Sequence, residues 1–180
     1  GGVDYVKFIE NLLNCRLKEG EQKFDSRTYE FLLFDSIEEM VEQIKGRDAE
    51  SGLSRLIAGY SWEWVSKNDP PKFDIKIQNS KLKWNRVTDD WINSDNSRSE
   101  VGCIHTTQGY DLNYAGIIFG NEITYDEQLN EIQVIERNYY DRNGKQSIKS
   151  AEELKEYIKN IYSTILQRGI KGTYVYACDK

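Results

Sequence analysis

Histidine, cysteine and proline are scarce in this 180-residue chain, and each scarcity removes a class of function. One histidine, His105, excludes a multi-histidine metal centre, and no metal site is expected. The three cysteines, Cys15, Cys103 and Cys178, are odd in number and widely spaced, which fits neither a disulfide framework nor a CxxC metal site. No apolar run approaches the ~18 to 20 residues of a membrane span, so no membrane partner is expected. Residues 1–30 also lack the apolar stretch and small-residue cleavage pattern of a secretory signal. These absences together predict a reduced, cytoplasmic, globular domain. A basic excess is missing too: 24 Lys+Arg stand against 30 Asp+Glu, a formal net charge of -6. With a pI near 5.0 the chain is unlike a strongly basic nucleic-acid binder, which lies above ~9. Nucleic acid would have to be met by a local patch.

What is present is a 38% hydrophobic chain whose length suits one domain, or two very small ones. Residues 4–14 place Tyr5, Phe8, Ile9, Leu12 and Leu13 on one helical stripe, with Asp4 as N-cap. Tyr29 to Phe34 is a short apolar run of strand type. A helix over 36–45 follows, with Ile37, Met40, Val41 and Ile44 on one stripe, and Gly46 and Gly52 then bracket a turn. Ser54 to Tyr60, Val101 to Ile104, Tyr114 to Phe119 and Thr173 to Cys178 read as further strands. Residues 61–100 hold all four tryptophans and both prolines, and predict an aromatic-rich insertion with one strand, Phe73 to Ile77, and long loops. Residues 121–150 read as polar, with turn formers at Asp141, Asn143 and Gly144. Residues 151–167 make the clearest helix, with Leu154, Tyr157, Ile158, Ile161, Tyr162 and Ile165 on one side. Helices alternating with continuously apolar strands predict an α/β domain with a mainly parallel sheet. In such sheets ligands bind beyond the carboxyl ends of the strands, which directs attention to loops 105–111 and 166–172.

His105-Thr106-Thr107-Gln108-Gly109-Tyr110-Asp111 combines hydroxyls, an amide, a glycine permitting close backbone approach and a carboxylate. Such a loop can bring N–H groups to a phosphate and leave the carboxylate for a ribose hydroxyl. It can equally be an ordinary polar crossover, with His105 a hydrogen-bonded residue at a strand end. In the second segment, Arg168 and Lys171 follow a helix C-terminus, where cations complement the helix dipole. Arg168 can alternatively reach a transferring phosphoryl group, since its fork of donors matches phosphate oxygens. A third group is Trp62, Trp64, Trp84 and Trp91 with Lys81, Lys83 and Arg86, densest in KLKWNR. It can stack bases and pair phosphates along a single strand, or bury a loop layer against the sheet.

HTTQGYDLNYAGIIF resembles motif V of superfamily 1 helicases, and IYSTILQRGIKGTYVY resembles motif VI. The wording around them, EVGCIHTTQGYDLNYAGIIFG, RLIAGYSWEW and RGIKGTYVYACD, is similar to the Schlafen-like DNA/RNA helicase domain of bacterial proteins of unassigned function. The resemblance covers roughly residues 29–180, leaving 1–28 as an N-terminal helix and connecting segment. It implies a RecA-like three-layer domain, the C-terminal half of a helicase motor, with ATP in the cleft against an N-terminal RecA-like domain of the same parent chain and DNA or RNA as the track. On that resemblance Gln108 and Gly109 approach the γ-phosphate side, Asp111 takes the ribose-binding acid's position, and Arg168 is the arginine finger. Arg55, on the strand resembling motif IV, becomes a further nucleotide contact. His105, Thr106 and Thr107 become a relay to nucleic acid.

A motor of this class also needs a P-loop, G-x-x-x-x-G-K-[ST], and an acidic strand for Mg²⁺. No such P-loop is found here; Gly46 and Gly52 have the wrong spacing and no following lysine. The expectation is therefore a piece of a longer chain, inactive alone, with ATP and Mg²⁺ held mainly by the absent domain. The competing reading is a non-catalytic nucleic-acid or protein interaction module on the same scaffold. A stand-alone hydrolase has no support, because no nucleophile–base pair surrounds the single histidine.

Overall fold

A strand covered on both faces needs apolar side chains pointing both ways, and the sequence runs LNYAGIIF and GTYVYA have that character. In the computed structural model, which describes residues 2–179, they form two of nine strands among the described residues. The strands are β1 (Glu30–Phe34), β2 (Ser54–Ala58), β3 (Ile75–Ile77), β4 (Ser80–Trp84), β5 (Glu100–Gly102), β6 (Leu112–Phe119), β7 (Ile123–Asp126), β8 (Glu131–Val134) and β9 (Gly169–Ala177). The helices are α1 (Gly2–Leu13), α2 (Ile37–Ser51), α3 (Ile104–Thr107) and α4 (Ala151–Leu166). The main sheet has seven strands in the order β1-β9-β6-β2-β5-β4-β3, parallel throughout except for the β3–β4 edge hairpin. Strands β7 and β8 form a separate antiparallel pair.

Two apolar clusters cover the sheet, one on each face. Ala115, Ile117 and Val175 point into a cluster with Phe8 and Ile9 of α1 and Ile158, Ile161 and Ile165 of α4. Tyr114, Ile118, Tyr174 and Tyr176 point the other way, onto Ile37, Met40 and Ile44 of α2. The alternation along β6 and β9 thus sorts side chains between two helical layers. The result is the three-layer α/β fold expected of a RecA-like domain. Helix α1 belongs to the same core, and its Tyr5 hydroxyl donates to the Leu166 carbonyl at 2.7 Å.

Helix α1 starts earlier than expected, at Gly2, so Asp4 lies inside its first turn and is not its cap. Ser36 caps α2 by accepting from Glu39 N–H, and Ser150 caps α4 by accepting from Glu153 N–H, each at 3.2 Å. The end of α2 differs from expectation, since the helix continues through Gly46 to Ser51 and stops at Gly52, which has φ +70°. Buried Asp48 in the added turn accounts for this, because its carboxylate is tied to Arg55 of β2 at 2.6 Å. Segment 61–100 also carries more order than expected. It supplies β3 and β4 in place of one strand, and β4 pairs in parallel with β5. Segment 121–150 contains the β7–β8 hairpin, which the polar composition hid. Strand β9 begins at Gly169, so the expected 169–172 turn is already strand.

Gly46 is exposed in the middle of α2, and a methyl group added there would have no atom within 4 Å. Glycine in a helix interior costs roughly 0.5–1 kcal/mol relative to alanine. Gly46→Ala is expected to raise the melting midpoint by about 1–4 °C in a thermal scan; an unchanged or lower midpoint contradicts the helical assignment there.

Candidate nucleotide-facing rim

Gln108–Asp111 lead into β6 and Arg168 leads into β9, so both segments sit at the amino ends of adjacent parallel strands. This corrects the carboxyl-end expectation for loop 166–172 and for the second half of 105–111. The register explains it. Gly102 of β5 and Ile117 of β6 both pair with Ile57 of β2, so the chain must descend past the length of β6 before β6 can start. Helix α3 begins that descent at the carboxyl end of β5, and residues 108–111 finish it at the opposite end.

The two segments touch. Leu112 N–H donates to the Arg168 carbonyl at 2.8 Å, and Arg168 Nη1 lies 3.5 Å from the Tyr110 carbonyl, a long contact. Arg168 Nε is buried and has no hydrogen-bond partner. Gln108, Gly109 and Asp111 are exposed, and Gly109 has φ +85°, a conformation that favours glycine. The glycines after Arg168 are sterically required. A methyl on Gly169 would collide with the Gly172 carbonyl oxygen, and one on Gly172 would come to 2.9 Å from both the Glu30 carbonyl and the Tyr114 ring. Partial burial, the charge of Asp90 and a hydrogen bond to it, and then Asp89, push the Tyr110 phenol above its ordinary value. Tyr110 thus stands near Asp90, which immediately precedes the 3-10 turn at Trp91–Asn93.

That turn leads to Arg55, whose donors are engaged within the chain. Its Nη1 donates to Asp48 at 2.6 Å and to the Ser54 carbonyl at 2.8 Å, its Nη2 to the Ile92 carbonyl at 2.7 Å, and its Nε to Ser97 Oγ at 2.9 Å. Arg98 covers the other Asp48 oxygen at 2.9 Å. Burial alone would raise the Asp48 carboxyl, but hydrogen bonds from Ser54 N–H and Arg55 and the charges of Arg55 and Arg98 hold it below the usual range. Arg55, expected to touch nucleotide, is instead the buried tie between α2, β2 and the 3-10 turn.

The remaining candidates are dispersed. Thr106 and Thr107 are buried, and their hydroxyls bond to the backbone of Cys103. They shape the start of α3 and face inward. His105 is half exposed and its Nε2 meets buried Asp141 at 2.8 Å, joining α3 to the segment after β8. Trp84 is fully buried in the α2-side cluster, so the burial reading of this tryptophan holds and no face of it is open to a base. Lys83 Nζ bonds to the Pro70 carbonyl at 2.5 Å. Arg86 pairs with buried Glu100 at 2.6 Å. Among the described residues no group of three or more His, Cys, Asp or Glu side chains could hold a metal, and no helix is long and apolar enough to cross a membrane. Sequence reasoning missed Asp48 and Arg98 as organisers of this end of the sheet; the nearest signal was the charge scatter around 86–98, which carries no period.

A mainly parallel sheet between two helical layers defines a three-layer α/β domain of RecA-like type. The chain belongs to the Schlafen group 3 family, DNA/RNA helicase domain, whose family model matches residues 1–179. Its role is accordingly helicase-related. It is also 34% identical, over 162 residues, to the uncharacterized protein YPL245W of Saccharomyces cerevisiae, covering 85% of this chain and 35% of that protein. The chain thus spans about a third of the length of the curated relative it matches. No solved structure matches it.

Removing one member of a buried ion pair costs about 3–5 kcal/mol, because the other charge is left uncompensated. Arg55→Ala is therefore expected to lower the urea midpoint by an amount equivalent to about 3 kcal/mol or more. An unchanged midpoint would mean that Arg55 is free for a ligand and that its pairing with Asp48 is incidental.

Proposed function

We propose that this domain is the second motor domain of an ATP-dependent DNA or RNA helicase or translocase, closing onto a P-loop-bearing RecA-like domain so that Arg168 meets the triphosphate. The observation that carries the reading is the contrast between two arginines. Arg55 spends its donors on its own chain, whereas Arg168 makes one long contact and keeps a buried Nε without an acceptor. A guanidinium carries five N–H donors in a fixed fork, so Arg168 has capacity left for phosphate oxygens.

In phosphoryl transfer the protein mainly positions groups and stabilises charge that develops on the transferred group. Arg168 would do so at the interdomain cleft, steadied from behind by Tyr110 and by the Leu112–Arg168 backbone bond. Gln108 would present its carboxamide to the γ-phosphate side, Gly109 would let the backbone approach, and Asp111 would accept from a ribose hydroxyl; all three are exposed at this rim. ATP and Mg²⁺ would be held chiefly by the P-loop-bearing domain, and no Mg²⁺ ligand is assigned to this chain. The rim loop follows directly from α3, so a shift of the loop would reach His105 and, through it, Asp141.

The test is nucleic-acid-stimulated ATP hydrolysis by the full-length protein carrying this domain, wild type against Arg168→Ala. Loss of a finger arginine is expected to lower kcat by about 10³-fold or more, with the circular-dichroism melt unchanged. Turnover that survives the substitution contradicts the finger assignment. Absence of stimulated hydrolysis in both proteins favours the interaction-module reading.

A further inference from the structure

At the other end of the sheet, beyond the carboxyl ends of β2, β6 and β9, lies a cavity of about 410 Å³ that the Arg168 reading does not use. Ser61 and Trp62 follow β2, Asn121 follows β6, Asp179 follows β9, and Asn138 and Tyr140 come from the segment after β8. This is the end at which parallel α/β sheets offer ligand sites. Trp62 is backed by Trp84, with ring centroids 6.4 Å apart at 60°, and its carbonyl accepts from Trp84 Nε1 at 3.3 Å. The ring is therefore held from behind by the core. Tyr140 is 44% exposed, and its backbone N–H is fixed to the Tyr60 carbonyl at 2.8 Å.

The polar groups keep spare capacity. Asn138 Nδ2 donates to the Asn121 carbonyl at 2.7 Å, leaving its Oδ1 free. The Asn121 carboxamide enters no side-chain hydrogen bond among the described residues. Asp179 uses one carboxylate oxygen, for the Thr124 hydroxyl and the Tyr125 N–H, and keeps the other. Beneath, Glu122 is fully buried, donates its N–H to Ser61 Oγ at 3.1 Å, and accepts from the Tyr162 hydroxyl at 2.6 Å. Burial pushes the Glu122 carboxyl up, despite its hydrogen bonds from Tyr162 and Ser61, which favours a neutral acid under the cavity.

A cavity with a carboxylate and no cation does not suit a phosphate group, and its amides do not suit a purely apolar ligand. Aromatic side chains beside free amide donors and acceptors suit a nucleobase, which offers a π face for stacking and a polar edge for hydrogen bonds. Cations flank the lining residues in sequence: Arg137 directly precedes Asn138 and Arg142 lies two residues after Tyr140, both exposed and in no ion pair among the described residues. We propose that this cavity receives one unpaired base of a single-stranded nucleic acid, the adjoining phosphates running past Arg137 and Arg142. The inference rests on the helicase reading only in taking nucleic acid as the partner.

Fluorescence anisotropy of this chain, without nucleotide, tests it with a fluorescein-labelled oligodeoxythymidine of about 12 nucleotides and an abasic strand of equal length. The intact strand is expected to bind about tenfold more tightly than the abasic one. Tyr140→Ala and Asn121→Ala, each checked by its melting curve, should narrow that gap, whereas an Arg137→Ala, Arg142→Ala double variant should weaken both strands. Equal binding of both strands, an unchanged gap in the two cavity variants, or no binding at all overturns the proposal. The two readings fail separately. Base-dependent binding with hydrolysis indifferent to Arg168 overturns the finger alone, and hydrolysis stimulated equally by intact and abasic strands overturns the base pocket alone.

Discussion

Strand β9 lies between β1 and β6 and pairs in parallel with both, and its entry is so tight that a methyl on Gly169 or Gly172 would meet neighbouring backbone or ring atoms. This pairing places Tyr174 and Tyr176 on the α2 face and Val175 on the α1–α4 face, joining both halves of the core. It also sets the position of the residue just before the strand. The Arg168 carbonyl is fixed by Leu112 N–H, and the side chain is laid along the Tyr110 carbonyl. The location of the arginine therefore follows from sheet register, which rigid backbone hydrogen bonds define better than loop geometry does.

The amino-end rim is organised further by buried charge. Asp48, at the end of α2, is shared by Arg55 and Arg98, and Arg55 in turn holds the 3-10 turn through the Ile92 carbonyl. One arginine is thus consumed in building the platform and another is left with donors to spare. The carboxyl-end rim is built differently, from aromatics, amides and a buried carboxylic acid. Helix α3 and residues 108–111 together lead from one end to the other, and the His105–Asp141 contact ties α3 to the segment that lines the second cavity.

Much of this was legible in the residues because local and global preferences agree. The helical stripes of α1 and α4 and the unbroken apolar runs of β6 and β9 each have a single sensible reading. The wider wording of EVGCIHTTQGYDLNYAGIIFG, RLIAGYSWEW and RGIKGTYVYACD carried the resemblance to the family that the family model shows. Other features depended on tertiary partners. Helix α2 passes Gly46 because Asp48 is paired with an arginine from the next strand, which no periodicity announces. In KLKWNR the charges drew attention to nucleic acid, yet Leu82 and Trp84 follow the period of two that turns a strand's inner face to the core. The β7–β8 hairpin has strands of four residues with half-exposed side chains, too short and too polar for a pattern to show. The functional ends were misassigned for a related reason: a loop's position at one end of a parallel sheet depends on strand register, and a three-residue β5 gives little sequence signal of its register.

A structure of the full-length protein with ADP, aluminium fluoride and Mg²⁺ bound tests the central claim most directly. The account predicts the Arg168 guanidinium within about 3 Å of the fluoride, at the place of the transferred phosphoryl group. It also predicts Arg55 still paired with Asp48. An Arg168 that stays on the Tyr110 carbonyl, with its fork turned away from the fluoride, would contradict it.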